Sequence, residues 1–348
     1  MASRKQFEGV PPFPTEDVPV ADIQTISLSD LRSGNEAAGH RLLNSCQELG
    51  FFLLDLRDDE AGRTMIDTID RLFGLSRQLL TLPEEEKQKY LHDIPRSFLG
   101  FKPRGLARTE TNEPDRFEWY NIGRDGIKGV APLQPLPPLF DPHLGLLQDF
   151  FDLGQELVTI INAVLASHLG LPCNIFTDLQ SPDQVSGTVL RFIKNFATKE
   201  KQDMRTSMIH HTDFGSITLL ANILGGLQIL TPGKSSDDPT AWRYIMPTPG
   251  CLIVNLGDAM VQWTGGILRS NVHRVTYAPG TQGSVDRYSL GLFVRPNRDA
   301  SMNPLLGERE KTTLTAWEWE QKKMMSFHRG NAVVESIGGR PLGATQAV

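Results

Sequence analysis

The sequence is short of cysteine. Cys46, Cys173 and Cys251 are the only three in 348 residues, widely spaced and without a Cys-x-x-Cys pair. Three thiols cannot all pair within one chain, which points to a reducing compartment, the cytoplasm. Long hydrophobic runs are missing too. No stretch approaches 18 consecutive apolar residues, so no membrane span is expected. The segment from Met1 to Pro14 is polar and lacks the apolar core of a secretory signal. The C-terminal run Ala344 to Val348 matches no lipidation or receptor-read address. There is no excess of positive charge: the net value is −6, which argues against nucleic acid or an anionic membrane as partner. No obligate protein partner is evident, and no internal repeat. What is left is an ordinary globular composition, 39% hydrophobic and 22% charged, long enough to bury a large core.

The order of elements points to a mixed α and β chain. Residues 1 to about 17 read as a loose arm, and Val18 to Ile26 as a short strand. Ser29-Asp30 can cap a helix over about 36–49, closed by Gly50. Phe51 to Leu54 is a short buried strand. A helix follows over about 58–80, with Met65, Ile66, Ile69, Leu72 and Phe73 on one side. Pro83 with three glutamates starts another. Asp115 to Ile122 is an aromatic-rich strand, and Leu133 to Pro142 a proline-rich surface loop. Leu144 to Leu169 is a long amphipathic helix, expected to be the spine under a sheet. From Gly187 the period changes to two. Strand-like runs recur at Val189–Phe196, Ser216–Asn222, Leu227–Leu230, Trp242–Met246, Cys251–Asn255, Ala259–Trp263, Val272–Tyr277 and Tyr288–Arg295. Gly225-Gly226 and Gly265-Gly266 punctuate hairpins. About eight strands at this spacing suggest a jelly roll. Thr312 to His328 reads as a closing helix, with Trp317 and Met324 as docking residues. The division is then 1–180 scaffold, 181–300 core, and 301–348 helix and tail, forming one catalytic unit.

The chemistry-bearing residues lie in the core region. His211 and Asp213 are i and i+2 in a stretch that reads as strand, so both can face one metal ion while His210 points away. His273 lies in a later strand-like run that can be brought alongside. Two histidines and one carboxylate on one face of a metal is the donor set of mononuclear Fe(II) oxygenases, with the other face open. Arg287 and Ser289 are again i and i+2, in an otherwise apolar run. A guanidinium with a neighbouring hydroxyl suits a carboxylate, such as the distal one of 2-oxoglutarate. Phe192 and Phe293 are candidates to touch substrate. His40, His92, His143, His168 and His328 show no ligand-like spacing.

Several motifs carry a family likeness. They are Cys46-Gln47-Glu48-Leu49-Gly50-Phe51-Phe52, Leu82-Pro83-Glu84-Glu85-Glu86-Lys87, His211-Thr212-Asp213-Phe214-Gly215, Gly225-Gly226-Leu227-Gln228, Asn255-Leu256-Gly257-Asp258, Leu268-Arg269-Ser270 with His273-Arg274-Val275, and Arg287-Tyr288-Ser289. Over about residues 18–325 the chain resembles the isopenicillin N synthase-like Fe(II)/2-oxoglutarate-dependent dioxygenases, in the manner of fungal secondary-metabolism members. The resemblance implies a double-stranded β-helix, a distorted jelly roll, with an N-terminal helical region and a C-terminal helix. It implies His211, Asp213 and His273 as iron ligands and Arg287 and Ser289 as 2-oxoglutarate anchors. It also implies O2 as oxidant, with ascorbate as candidate reductant. Many members have a tyrosine in the first core strand that touches 2-oxoglutarate. This sequence departs from that pattern: Asn195 stands at the matching position, as a candidate to donate a hydrogen bond to 2-oxoglutarate.

The expected reaction couples decarboxylation of 2-oxoglutarate to removal of a hydrogen atom from a substrate C–H bond. Hydroxylation, desaturation, ring closure or rearrangement can follow, and positioning selects among them. The aromatic content near the expected cavity favours a small hydrophobic or aromatic metabolite. Three other readings use the same residues. One is an iron oxidase that grips its substrate's own carboxylate through Arg287 and Ser289. Another is a small-molecule receptor, against which a complete ligand triad argues. The third is a zinc hydrolase, in which Arg287 and Ser289 have no role.

Overall fold

The computed structural model describes residues 7–328, apart from 17, 95–96, 110–111, 199–205 and 308–310 and the side chains of 326–328. The C-terminal run Ala344 to Val348 and the start of the N-terminal arm lie outside the described residues.

Twelve strands build two sheets among the described residues. They are β1 (Thr25–Ser27), β2 (Phe51–Asp55), β3 (Gly100–Lys102), β4 (Phe117–Gly123), β5 (Val189–Asn195), β6 (Met208–His211), β7 (Ile217–Asn222), β8 (Leu227–Leu230), β9 (Trp242–Tyr244), β10 (Cys251–Leu256), β11 (His273–Val275) and β12 (Arg287–Val294). The larger sheet runs β1-β2-β10-β7-β12-β5-β4-β3 and the smaller β6-β11-β8-β9. Among the paired strands of the described residues, β1–β2 alone is parallel. The large sheet therefore draws strands from residues 25–123 as well as from the region after 187.

The helices are α1 (Leu28–Arg32), α2 (Glu36–Glu48), α3 (Glu60–Leu80), α4 (Glu84–Gln88), α5 (Arg124–Ile127), α6 (Leu144–His168), α7 (Ile175–Asp178), α8 (Asp258–Trp263) and α9 (Ala316–His328). Side-chain caps explain several starts. Asn35 accepts from the Ala38 N–H at 3.0 Å, and Asp59 from the Gly62 N–H at 2.9 Å. Ser29-Asp30 is not the cap of the helix at 36: Ser27 caps α1, which takes up both residues. α3 and α6 cover one face of the large sheet. Their apolar stripes pack on the side chains of β5, β7, β10 and β12 that point away from the small sheet. At Gly154 of α6 there is no Cβ, and Leu292 fills the space. Pro138–His168, containing α6, is long and apolar enough by length and composition to cross a membrane, but half of its 18-residue apolar window is buried inside the protein.

Alternation along β5 and β12 gives the large sheet two working faces. Phe192, Leu290, Leu292 and Val294 face the helices, whereas Arg191, Asn195, Arg287, Ser289 and Phe293 face the small sheet. A second apolar cluster, with Phe51, Leu53, Leu227, Ile229 and Val275, ties the two sheets together.

Three further expectations change. Ala259–Trp263 lies in helix α8, not a strand. Gly257 precedes it in an extended conformation, and Asp258 occupies the helix's first turn. Residues 7–16 are not a loose arm, because Phe7 and Val10 pack on the core and the Pro11 carbonyl accepts from Gln282 at 2.8 Å. The proline-rich segment at 133–142 is not all surface, since Phe140 is fully buried. α9 does close against the core, through a buried Met324 and ion pairs from Glu320 to Arg295 and from Lys323 to Asp258. The three cysteines are free thiols.

Candidate metal and co-substrate site

The smaller sheet brings two imidazoles side by side. His211 ends β6 and His273 begins β11, and the two are direct partners in the antiparallel register. Their ring centroids are 4.4 Å apart. The Nδ1 of His211 meets the Ile209 carbonyl at 2.8 Å, and that of His273 the Asn271 carbonyl at 3.1 Å. A carbonyl can only accept, so each Nδ1 carries the proton and each Nε2 lone pair is left to face the cavity. His210 points the other way, its ring against Trp242.

Asp213 reaches the same point by a different route from the one its spacing suggests. β6 stops at His211, so strand alternation does not aim Asp213. The chain turns, and the large sheet catches the carboxylate. Asn255 of β10 and Thr218 of β7 both donate to Oδ2, at 2.8 and 2.7 Å. Oδ1 remains, 3.9 Å from Nε2 of His211 and 3.8 Å from Nε2 of His273. The three ligand atoms lie within 4.8 Å of one another. This geometry suits a divalent ion: two imidazole Nε2 atoms and one free carboxylate oxygen converge, with every other polar atom of the three side chains already bonded. Burial, and then the neighbouring His273, lowers the His211 pKa to about 4, so the ring is neutral at physiological pH. Burial alone would raise the Asp213 pKa. His273, His211 and the bonds from Asn255 and Thr218 outweigh it and hold the group below the usual carboxylate range.

Beyond the triad the cavity runs between the sheets, with about 580 Å³ of space including its open mouth. Arg287 stands on its wall, 4% exposed. Its Nε donates to the Gly225 carbonyl at 2.7 Å, and its Nη1 donates to Asn195 Oδ1 at 3.1 Å and Ser289 Oγ at 3.2 Å. These partners are all neutral. Burial lowers its pKa to about 10, which leaves it charged at pH 7 and without a carboxylate partner among the described residues. A buried cation in that position suits an incoming carboxylate. Asn195 is in the wall but is engaged at both ends, accepting from Arg287 and donating to Ser207 Oγ at 2.8 Å. Its position therefore orients Arg287. Phe293 lines the cavity. Phe192 does not: it lies on the opposite face of β5, fully buried against Phe140. One residue of register separates the two faces.

Some contributors escaped the sequence reading. Gly225 was legible only as a turn residue, yet its carbonyl steers Arg287. Thr218 and Ser207 carry no local signal at all. Arg191, also on the cavity wall, was detectable: it is four residues before Asn195 on the same strand, and period two puts both on one face.

A profile of the 2OG-Fe(II) oxygenase superfamily matches residues 186–296, and one for the N-terminal region of the non-haem dioxygenase in morphine synthesis matches residues 18–138. A 2-oxoglutarate-dependent dioxygenase of Aspergillus fumigatus is 31% identical over 345 residues, covering 91% of this chain and 89% of that protein. The chain belongs to the 2OG-Fe(II) oxygenase superfamily.

Solved structures share the fold. A full-length Neurospora crassa protein in complex with alpha-KG aligns with a TM-score of 0.74 at 22% identity, over 91% of this chain and 99% of that one. A 2OG-Fe(II) oxygenase family protein of Caulobacter crescentus gives 0.73 at 24% identity, over 88% and 100%. As a superfamily member the chain is a non-haem dioxygenase that uses Fe(II) and 2-oxoglutarate, built on a jelly-roll core with helical additions.

Proposed function

We propose that this dioxygenase oxidises a C–H bond of a small hydrophobic or aromatic metabolite in secondary-metabolite biosynthesis. His211, Asp213 and His273 hold the iron, and Arg287 and Ser289 hold the distal carboxylate of 2-oxoglutarate. The observation that carries this reading is one continuous cavity. It has three convergent ligand atoms at one place, a buried unpaired guanidinium at another, and walls otherwise made largely of Phe51, Ile193, Met208, Leu220, Leu227, Val275 and Phe293. Iron with 2-oxoglutarate supplies the oxidising power for breaking a C–H bond. The protein's part is to hold both in register, exclude water and present one C–H bond. In this reading residues 1–180 are scaffold, 181–300 the catalytic core, and 301–348 the closing helix and tail. That fungal dioxygenases are among its relatives agrees with a secondary-metabolic role. The Neurospora protein has also been solved with thymine, which sets a scale for substrates of such cavities.

The test is an anaerobic titration of Fe(II)-loaded protein with 2-oxoglutarate, following the visible charge-transfer band of a chelated keto acid. The band is expected in the wild type, absent in His211→Ala and shifted to higher 2-oxoglutarate concentration in Arg287→Ala. Bound iron with no band would instead support an oxidase that uses Arg287 and Ser289 for its substrate's carboxylate.

A further inference from the structure

Arg191 is a second cation on the cavity wall, and nothing in the co-substrate reading uses it. It stands on β5 and shares the cavity-facing side with Ile193 and Asn195. Its Nε donates to Asn121 Oδ1 at 2.8 Å, which sets the direction of the guanidinium. The plane is held by aromatics: its Cζ lies 4.7 Å from the ring centroid of Trp119 and 4.7 Å from that of Phe293. Trp119 is itself stacked on His92, at 5.2 Å between centroids. Across the sheet the residue paired with Arg191 is Gly291, which contributes no side chain. A Cβ there would fall 2.6 Å from the Phe293 ring, so the glycine leaves room for the stack. The two Nη groups form no hydrogen bond or ion pair among the described residues.

The charges on the cavity wall fix the sign of the group that Arg191 suits. The charged or ligating residues lining it are Arg191, His211, Asp213, His273 and Arg287. With iron and 2-oxoglutarate bound, Asp213 cancels one of the metal's two charges, and Arg287 cancels one of the co-substrate's two. Those remainders offset each other. Arg191 is left as one positive charge with no counterion in a largely apolar enclosure, an arrangement that is costly unless an anion joins it.

We propose that Arg191, clamped between Trp119 and Phe293 on the cavity wall, is the specificity residue that binds a carboxylate on the substrate, making the substrate class lipophilic carboxylic acids. The inference rests on the assignment of Arg287 to 2-oxoglutarate. A planar guanidinium with its Nε already bonded presents its Nη groups as a fork that matches carboxylate geometry. The apolar remainder of the wall receives the acid's hydrocarbon body, and the fixed carboxylate determines which C–H bond stands near the iron.

The test uses full-length protein loaded anaerobically with Fe(II) and 2-oxoglutarate, as wild type, Arg191→Met and Arg191→Lys. The probes are 2-naphthoate and 4-phenylbutanoate, each beside its primary amide, with dissociation constants from calorimetry. The wild type is expected to favour each acid over its amide by about tenfold or more. Arg191→Met should lose that preference while binding the amides as before, and Arg191→Lys should keep part of it. Thermal unfolding checks that both variants fold. Equal wild-type affinity for acids and amides overturns the proposal, as does an acid preference that survives in Arg191→Met. Loss of the charge-transfer band in Arg191→Met also overturns it, by placing Arg191 at the co-substrate. Failure of the Arg287 assignment has a separate signature: a wild-type band that is missing or unmoved by Arg287→Ala.

Discussion

His211 and His273 share one local device: each ring bonds the carbonyl two residues earlier in its own chain. The backbone alone thus sets both tautomers. Asp213 has no such device and depends on Asn255 and Thr218. Asn255→Ala should therefore weaken metal binding by about 10–100-fold without unfolding the protein. A Mn(II) titration beside a circular dichroism spectrum checks this, and unchanged metal affinity would refute the role given to Asn255. The pH dependence follows from His211. Its folded pKa of about 4 is below the ordinary imidazole value, so the unfolded chain takes up a proton that the folded chain refuses. Stability of the metal-free protein should fall as pH drops from about 6.5 towards 4, and level off below. His211→Gln should flatten that part of the profile of melting temperature against pH.

Loops and strand ends, not strand centres, position the site. The segment after β6 that carries Asp213 leans on the segment after β10. The Asp258 N–H donates to the Asp213 carbonyl at 2.8 Å, and Thr212 Oγ1 to the Asp258 carboxylate at 3.1 Å. Gly257 makes the approach possible, because a Cβ there would strike the Gly215 carbonyl and fall 2.9 Å from that of Asp213. Gly257→Ala should cost about 1–3 kcal/mol, and should weaken metal binding as the loop shifts. Urea unfolding with a parallel Mn(II) titration separates the two effects. A destabilised variant with wild-type metal affinity would show that the loop does not set the ligand's position. α9 enters the same network, since Lys323 pairs with Asp258 at 2.7 Å. The helix itself was readable from Thr312 to His328, but its contact with the ligand loop was not, because Asp258 lies 65 residues away in the chain. In contrast, Asn35 and Asp59 are local caps, and both helix starts were approximately legible.

Across the whole molecule, the centre joins two sheets. The small sheet gives both imidazoles, while the large one gives the bonds to Asp213 and the guanidinium of Arg287. Metal and co-substrate bound there should stabilise the pair of sheets as a unit. At a hundredfold excess over Kd, 2-oxoglutarate with Mn(II) should add about 2.7 kcal/mol. For a chain of this length that corresponds to roughly 3–5 °C in Tm. Calorimetry with and without 2-oxoglutarate checks it, and Arg287→Ala should remove most of the increment. An equal increment in that variant would mean that 2-oxoglutarate binds elsewhere. The N-terminal segment belongs to this unit as well. Phe13 packs beside Gly225, and Gln282 links the Pro11 carbonyl to the Gly225 N–H, so the arm braces the turn that orients Arg287.

By itself the sequence determined what is encoded over a few neighbouring residues. That covers the helices at 36–48, 60–80 and 144–168, most core strands, and the residue types and order of His211, Asp213, His273, Arg287 and Ser289. Periodicity, caps and motif spacing are local, and they are written in the chain. The tertiary structure alone decided which face of β5 meets the cavity, and with it that Phe192 is core and Arg191 is wall. It also decided that Asp213 is aimed by Asn255 and Thr218, that Asn195 serves Arg287, and that Ala259–Trp263 turns into a helix beside the ligand loop. Asn255 lies 42 residues from Asp213 and Arg287 92 from Asn195, so these partners meet only when the sheets close, and a strand's register gives the opposite answer when shifted by a single residue.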